Sequence, residues 1–288
     1  LLLIETADDS RRARLSGHAS EVQRIAFDPN GLWLATADEA GDIRLWNPET
    51  GASQARLRGH RGPISSLHWK GGRLFSAGTD GTIRIWNPTT GEEDDNLQIL
   101  AGGEIRELAF APGDAIVAAG LADGSVRAWD IPSSERLMMH AGDGQPVERM
   151  MFDGRGDRLF AESENGRIRS WDTRSWDLGA DLGPSPAGLT IRAVDPSGTR
   201  IASVAGPGLV RFFDALTGEP VFTLRTEAAN LRLPRFTSGG DRLIGTDEEG
   251  QLWLWNTITP SQATLRRGGR DREVARLRGI VDRWIERS

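Results

Sequence analysis

A histidine, a serine and a carboxylate follow one another at His60, Ser76 and Asp80, with a tryptophan at Trp86. These are the residue types of nucleophilic hydrolysis, in which a hydroxyl attacks, an imidazole takes its proton and a carboxylate orients the ring. Such a nucleophile also needs an oxyanion site and an open pocket, and Ser76 falls in the middle of a segment that reads as a strand. The same positions recur in degraded form along the chain. One copy has His18, Thr36 and Trp46 with Ala40 at the carboxylate position; another has Asp123 and Trp129 with Ala119 for the hydroxyl. A third has Asn165 and Trp171 with Ala161, and His140 out of strict register; the last two have Ser203 with Pro207 and Phe213, and Gly245 with Glu249 and Trp255. A structural repeat is copied in this way and a catalytic centre is not. The reading is therefore no catalytic residues and no enzyme, with a hydrolase using His60 and Ser76 as the alternative.

Other chemistry finds no foothold. There is no phosphate-cradling loop ending in Gly-Lys-Ser/Thr, no His-Glu-x-x-His and no dinucleotide-binding glycine signature. Four histidines (His18, His60, His68, His140) and no cysteine give no metal-ligand spacing, so no metal and no cofactor is expected.

The elements that position these residues are set by a period. Glycine stands five residues before an aromatic at Gly41/Trp46, Gly81/Trp86, Gly124/Trp129, Gly166/Trp171, Gly208/Phe213 and Gly250/Trp255, and the aromatics lie 40, 43, 42, 42 and 42 residues apart. An amide or carboxylate follows each one: Asn47, Asn87, Asp130, Asp172, Asp214 and Asn256. Period-two alternation and turn residues divide each unit into four strands, a to d. In the first unit these are Val22 to Phe27, Leu32 to Thr36, Ile43 to Trp46 and Ala52 to Leu57. The a-to-b turns carry glycine and proline (Asp28-Pro-Asn-Gly31, Asp195-Pro-Ser-Gly198), which supply positive φ and a preset bend.

This pattern resembles the WD-repeat family of β-propellers over residues 1–266. The resemblance implies an all-β propeller of four-stranded antiparallel blades. Six blades are complete, and residues 1–18 superpose on Ile43 to His60 as strands c and d of a partial seventh. Their a and b strands are expected upstream in a longer parent chain, in keeping with the missing initiator Met. Residues 262–265 can serve as the sixth strand d. Residues 267–288 are set apart as a C-terminal amphipathic α-helix, with Val274, Leu277, Ile280, Val281, Trp284 and Ile285 at helical spacing. The family also implies a structural hydrogen-bond tetrad, and His60, Ser76, Asp80 and Trp86 match it throughout.

Two further patterns are open to function. Arginine recurs two residues before the aromatic (Arg44, Arg84, Arg127, Arg169, Arg211), where stacking or bonding between blades is the expected role. The b-to-c turns are acidic at Asp38, Glu39, Glu162, Glu164, Asp247, Glu248 and Glu249, a candidate rim for a basic protein or peptide, with Trp176 as a candidate anchor and Trp253 standing where the other units have arginine. The net charge of −6 gives no global reason to bind nucleic acid. No apolar run is long enough for a membrane span, and Leu1 to Ile4 is too short for a signal-peptide core. Lys70 is the only lysine, which reads as the codon bias of a GC-rich bacterial genome, and the lack of cysteine fits a cytoplasmic setting. The expected function is a non-catalytic recognition module, scaffold or sensor, of a larger bacterial signalling protein. Its effector domain in the same parent chain is a further expected partner, as the resemblance to repeat regions of bacterial signalling NTPases, kinases and caspase-like proteases implies. The alternative of another class is a constitutive assembly scaffold without switching.

Overall fold

The computed structural model describes residues 2–4, 11–94, 99–113, 115–184, 191–227, 231–247, 249 and 251–257. Among them the regular secondary structure is entirely β. Four sheets are four-stranded antiparallel meanders in chain order: Val22–Phe27 to Ser53–Leu57, Ile105–Phe110 to Arg136–His140, Val147–Phe152 to Leu178–Pro184, and Ala193–Val194 to Pro220–Arg225. These are propeller blades. In the sheet that starts at Ile64–Lys70, the outer strand comes in two pieces, Glu92–Glu93 and Ile99–Leu100, both paired to Thr82–Asn87. The sixth sheet has three described strands, Arg232–Phe236, Arg242–Thr246 and Leu252–Asn256, and Leu2–Ile4 pairs with Arg11–Arg14 as the expected half-blade. The expected sixth strand d at 262–265 and the helix over 271–288 lie outside the described residues.

The chain divides into two compact units; among the described residues one comprises 2–78 with 84–94, and the other 79–83 with 99–257. In the first unit Ile43, Leu45 and Leu57 of the first sheet meet Leu67, Trp69 and Trp86 of the second in one buried cluster, and the Trp69 indole donates to Ala26 O at 3.0 Å. The second unit repeats this between successive sheets, with Val126 and Met138 against Met150 and Trp171, then Phe160 and Ile168 against Ile201 and Phe213. Short strands cannot cover their own faces, so each blade completes its core only against a neighbour.

Turn chemistry explains the fixed positions. Gly41 has φ of 84°, and a Cβ there would stand 2.5 Å from Gly62 O; at Gly124 (φ 80°) it would stand 2.5 Å from Gln145 O. The b-to-c glycine is thus required twice over, by backbone conformation and by the loop that crosses it. In the first five sheets the residue after the aromatic closes the c-to-d turn: Asn47 Oδ1 accepts from Glu49 N and Thr50 N at 2.9 Å, Asn87 and Asp130 cap their turns likewise, and Asp172 and Asp214 do the same for the amides two and three residues on.

Strand b of the first sheet is Leu34–Asp38, two residues later than the expected Leu32 to Thr36. Leu32 belongs to the turn instead, because the buried Asp28 accepts its N–H at 3.3 Å and Asp28 N bonds Trp33 O at 2.8 Å. That shift carries Asp38 out of the turn and into the sheet.

Candidate functional site

In the second sheet the Trp86 indole N–H donates to Ser76 Oγ at 2.8 Å, and the Ser76 hydroxyl lies 2.7 Å from His60 Nε2. Asp80 caps the following turn, accepting from Thr82 N at 3.1 Å and Thr82 Oγ1 at 2.9 Å. Ser76 is fully buried. Its oxygen therefore holds an indole in place and meets no substrate, which takes away the support for a nucleophilic role.

The first sheet builds a longer relay than its sequence suggested. The Trp46 indole donates to Thr36 Oγ1 (2.8 Å), Thr36 Oγ1 lies 2.6 Å from His18 Nε2, and His18 Nδ1 lies 2.9 Å from Asp38 Oδ2. Asp38 Oδ1 also accepts from Ala40 N at 3.1 Å and Asp42 N at 3.0 Å. A chain of donors running indole to hydroxyl to imidazole to carboxylate satisfies every buried polar group in turn. The carboxylate expected at position 40 is supplied from position 38, eight residues before the tryptophan. Asp247 stands eight residues before Trp255, and it too caps the amides two and four residues on, Glu249 N at 3.0 Å and Gln251 N at 2.8 Å. That shared offset is the sequence signal that would have found it.

The fourth sheet is an incomplete version. Trp171 Nε1 is buried with no hydrogen-bond partner, since Ala161 occupies the hydroxyl position, and His140 meets the Trp171 ring edge-on at 5.3 Å between centroids. Ala161→Ser is expected to supply the missing acceptor and raise stability by about 1 kcal/mol, read as a higher denaturation midpoint. A loss of stability would mean that the site is too tight for an added oxygen.

The candidate acidic rim separates into two groups. Asp38, Glu162 and Asp247 are buried, at 0%, 2% and 9% exposure, which corrects their assignment to an accessible rim. Each is retained by fold contacts. Glu162 Oε2 accepts from Ile191 N at 2.9 Å, and burial pushes its carboxyl up from the usual range. Asp247 Oδ2 accepts the Trp253 indole N–H at 2.8 Å, a bond that holds its carboxyl below the usual range. Glu39, Glu164 and Glu249 are exposed, and Glu248 lies outside the described residues. Trp176 is half-buried, at φ 60°, and packs against the cluster of Met138 and Trp171, which makes it core filling.

Four of the five arginines before the aromatics act within the fold. Arg44 Cζ lies 6.0 Å from the Trp46 ring centroid and Arg169 Cζ 5.8 Å from that of Trp171; Arg169 Nη2 also donates to Gly124 O at 2.8 Å. Arg84 bonds Glu93, and Arg127 bonds Ala101 O. His18, Asp38 and Asp42 bring ligand-type atoms within 4.8 Å of one another. All three are already engaged, His18 in the relay and Asp42 with Arg56 Nε at 2.5 Å and Arg44 Nε at 3.4 Å. The arrangement is that of a hydrogen-bond network.

Comparison with known proteins adds the following. The family model described as WD domain, G-beta repeat matches residues 10–47, 51–87 and 95–130. Autophagy-related protein 16 of Arabidopsis thaliana is 27% identical over 158 residues, 53% of this chain and 31% of its own length. The U5 small nuclear ribonucleoprotein 40 kDa protein of Dictyostelium discoideum is 30% identical over 167 residues, 56% of this chain and 46% of its own. Apoptotic protease-activating factor 1 of Danio rerio is 25% identical over 178 residues, 57% of this chain and 13% of its own. The chain spans less than half the length of each of these relatives. All three are eukaryotic, so the bacterial origin expected from the arginine-rich composition gains nothing from them. Among solved structures, the computationally designed Ika8 protein superposes with a TM-score of 0.64 at 23% identity, covering 84% of this chain and 73% of that one, a likeness of fold alone. No described helix is long and apolar enough to cross a membrane.

Proposed function

We propose that this chain, which carries WD repeats over its first units and is built from propeller blades, is a non-catalytic protein-interaction platform. WD-repeat proteins generally serve as interaction scaffolds. The observation that carries the reading is the sealed relay: the residues with nucleophilic chemistry are buried and committed to holding tryptophans, so recognition falls to exposed loop side chains. Glu39, Glu164 and Glu249 favour a basic protein or peptide partner.

The finer reading is a recognition module of a larger cytoplasmic bacterial signalling protein, with an effector domain in the same parent chain. The relation to apoptotic protease-activating factor 1 is in keeping with a signalling parent, while the relatives' eukaryotic sources leave the bacterial assignment resting on composition.

The test is capture of partners from extract of the native host by the wild-type chain and by the triple variant Glu39→Arg/Glu164→Arg/Glu249→Arg. A partner recovered by the wild type and reduced at least tenfold with the variant supports the acidic surface. Equal recovery places recognition elsewhere.

A further inference from the structure

The inner strand of the first sheet, Val22–Phe27, leaves in the open apolar side chains that the corresponding strands of the next three sheets bury. Ile25 pairs in register with Thr36, as Leu67 does with Ser76, Leu108 with Ala119 and Met150 with Ala161. Leu67, Leu108 and Met150 are buried, whereas Ile25 is 48% exposed. Phe27, opposite Leu34, is 44% exposed, while Trp69, at the same place opposite Leu74, is 7% exposed. Leu32, in the turn that follows, is exposed as well.

The difference lies in what stands against each face. Leu67 and Trp69 pack in one cluster with Ala26, Ala35 and Ala37, which come from the two inner strands of the sheet before theirs. For the first sheet that side is met by the half-blade, from which Leu15 reaches Leu34 and Trp46 on strands b and c. Strand a keeps nearly half of its two large apolar side chains in the open. Apolar groups gathered on one strand mark a surface that something covers.

The chain holds a segment of matching character. Residues 258–288 lie outside the described residues, and within them Val274, Leu277, Ile280, Val281, Trp284 and Ile285 fall at helical spacing. The other stretches outside the described residues, such as 5–10 and 185–190, are too short to bring such a stripe. A helix over 271–288 would be about 27 Å long, enough to lie along a six-residue strand of about 20 Å. Charge agrees with this pairing. The segment carries arginine at 272, 276, 278, 283 and 287, and the exposed Glu21 and Glu39 stand together at one end of the strand, Glu39 N donating to Glu21 O at 2.9 Å. Residues 258–270 leave a tether of up to about 45 Å.

We propose that residues 271–288 dock as an amphipathic helix on the face of Ile25, Phe27 and Leu32, covering strand a of the first sheet where its sisters use a neighbouring blade. This concerns a contact within one chain and stands apart from the partner reading above.

The chain has no cysteine, so an introduced one is a unique probe. Full-length Phe27→Cys and Ile25→Cys are labelled with iodoacetamide, each rate being divided by that of the same thiol in the unfolded chain. Leu216→Cys is the reference, since Leu216 of the fifth sheet is 47% exposed. Labelling at 25 and 27 is expected to be at least tenfold slower than at 216. Adding Leu277→Asp/Val281→Asp, which breaks the stripe, should raise both rates at least tenfold and leave the reference unchanged. Equal rates at all three sites overturn the proposal, because the face is then open. Slow labelling that survives the stripe variant overturns it too, and protection lost on dilution identifies a second copy as the occupant instead.

Discussion

Replacing Ser76 with alanine is expected to destabilise the protein by about 3 kcal/mol, far more than the loss of one neutral hydrogen bond. The reason is what the substitution leaves behind. The Trp86 indole N–H and His60 Nε2 both bond Ser76 Oγ, at 2.8 and 2.7 Å, in a buried site where Ser76 itself has no exposed surface. Without the hydroxyl, both lose that partner where water cannot replace it, and each stranded group costs on the order of 1–3 kcal/mol. Denaturant unfolding of Ser76→Ala, Trp86→Phe and the double variant checks this. The double variant should be less destabilised than the sum of the two, because phenylalanine removes the stranded donor. Strict additivity, or a loss below about 0.5 kcal/mol for Ser76→Ala, would show that the relay contributes nothing as a unit.

Asp38→Ala is expected to cost a comparable amount, about 3 kcal/mol, and to change the response to acid as well. The substitution removes the carboxylate at the end of the first relay together with the acceptor for Ala40 N and Asp42 N. Burial pushes the Asp38 carboxyl up, but the His18 ring and the backbone N–H groups of Asp42 and Ala40 outweigh it and hold it below its ordinary 3.8. A carboxyl depressed in the folded state contributes stability that is fully present above the unfolded value and is lost as pH falls through the folded one. Wild-type stability should therefore decline below about pH 4 in part through this group, and Asp38→Ala should show a shallower acid limb in a pH series of unfolding midpoints. An unchanged limb would assign the acid sensitivity to other carboxylates.

The repeat made most of the sheet order legible, because alternating strands, turn glycines and the aromatic after strand c are local signals that recur at a fixed period. Strand Val22–Phe27 falls where the alternation puts it, and Leu2–Ile4 and Arg11–Arg14 pair as the expected outer half of a blade. The chemistry of individual positions was less legible. Asp38 reads as a loop acid, since aligning the units on their tryptophans puts Ala40 opposite Asp80. Only the shifted b strand, fixed by the Asp28 turn, brings it to His18. Glu162 likewise sits among turn acids in the sequence, yet it bonds Ile191 N, a partner 29 residues away that no local pattern reveals. Trp253 is visible as an exception to the arginine register. That its ring would lie over Trp255 at the distance of a guanidinium is a property of the strand face, seen only once the side chains are placed.

The amides that close the c-to-d turns bear on how the molecule ages. An asparagine deamidates when the backbone nitrogen of the next residue attacks its side-chain amide carbon. Asn47 and Asn87 are followed by Pro48 and Pro88, whose nitrogens carry no hydrogen and cannot close that ring. The two turn anchors that are asparagine rather than aspartate in the first two sheets are thus shielded from this reaction. Asn165 is exposed and precedes Gly166, where no side chain hinders the attack, and its Oδ1 is held by Arg167 N at 3.1 Å alone among the described contacts. Asn30, exposed in the a-to-b turn of the first sheet, precedes Gly31 in the same way, so chemical wear in a long-lived copy of this protein starts at these two Asn-Gly turns, and at the fourth sheet it adds one more negative charge to a surface already acidic at Glu164.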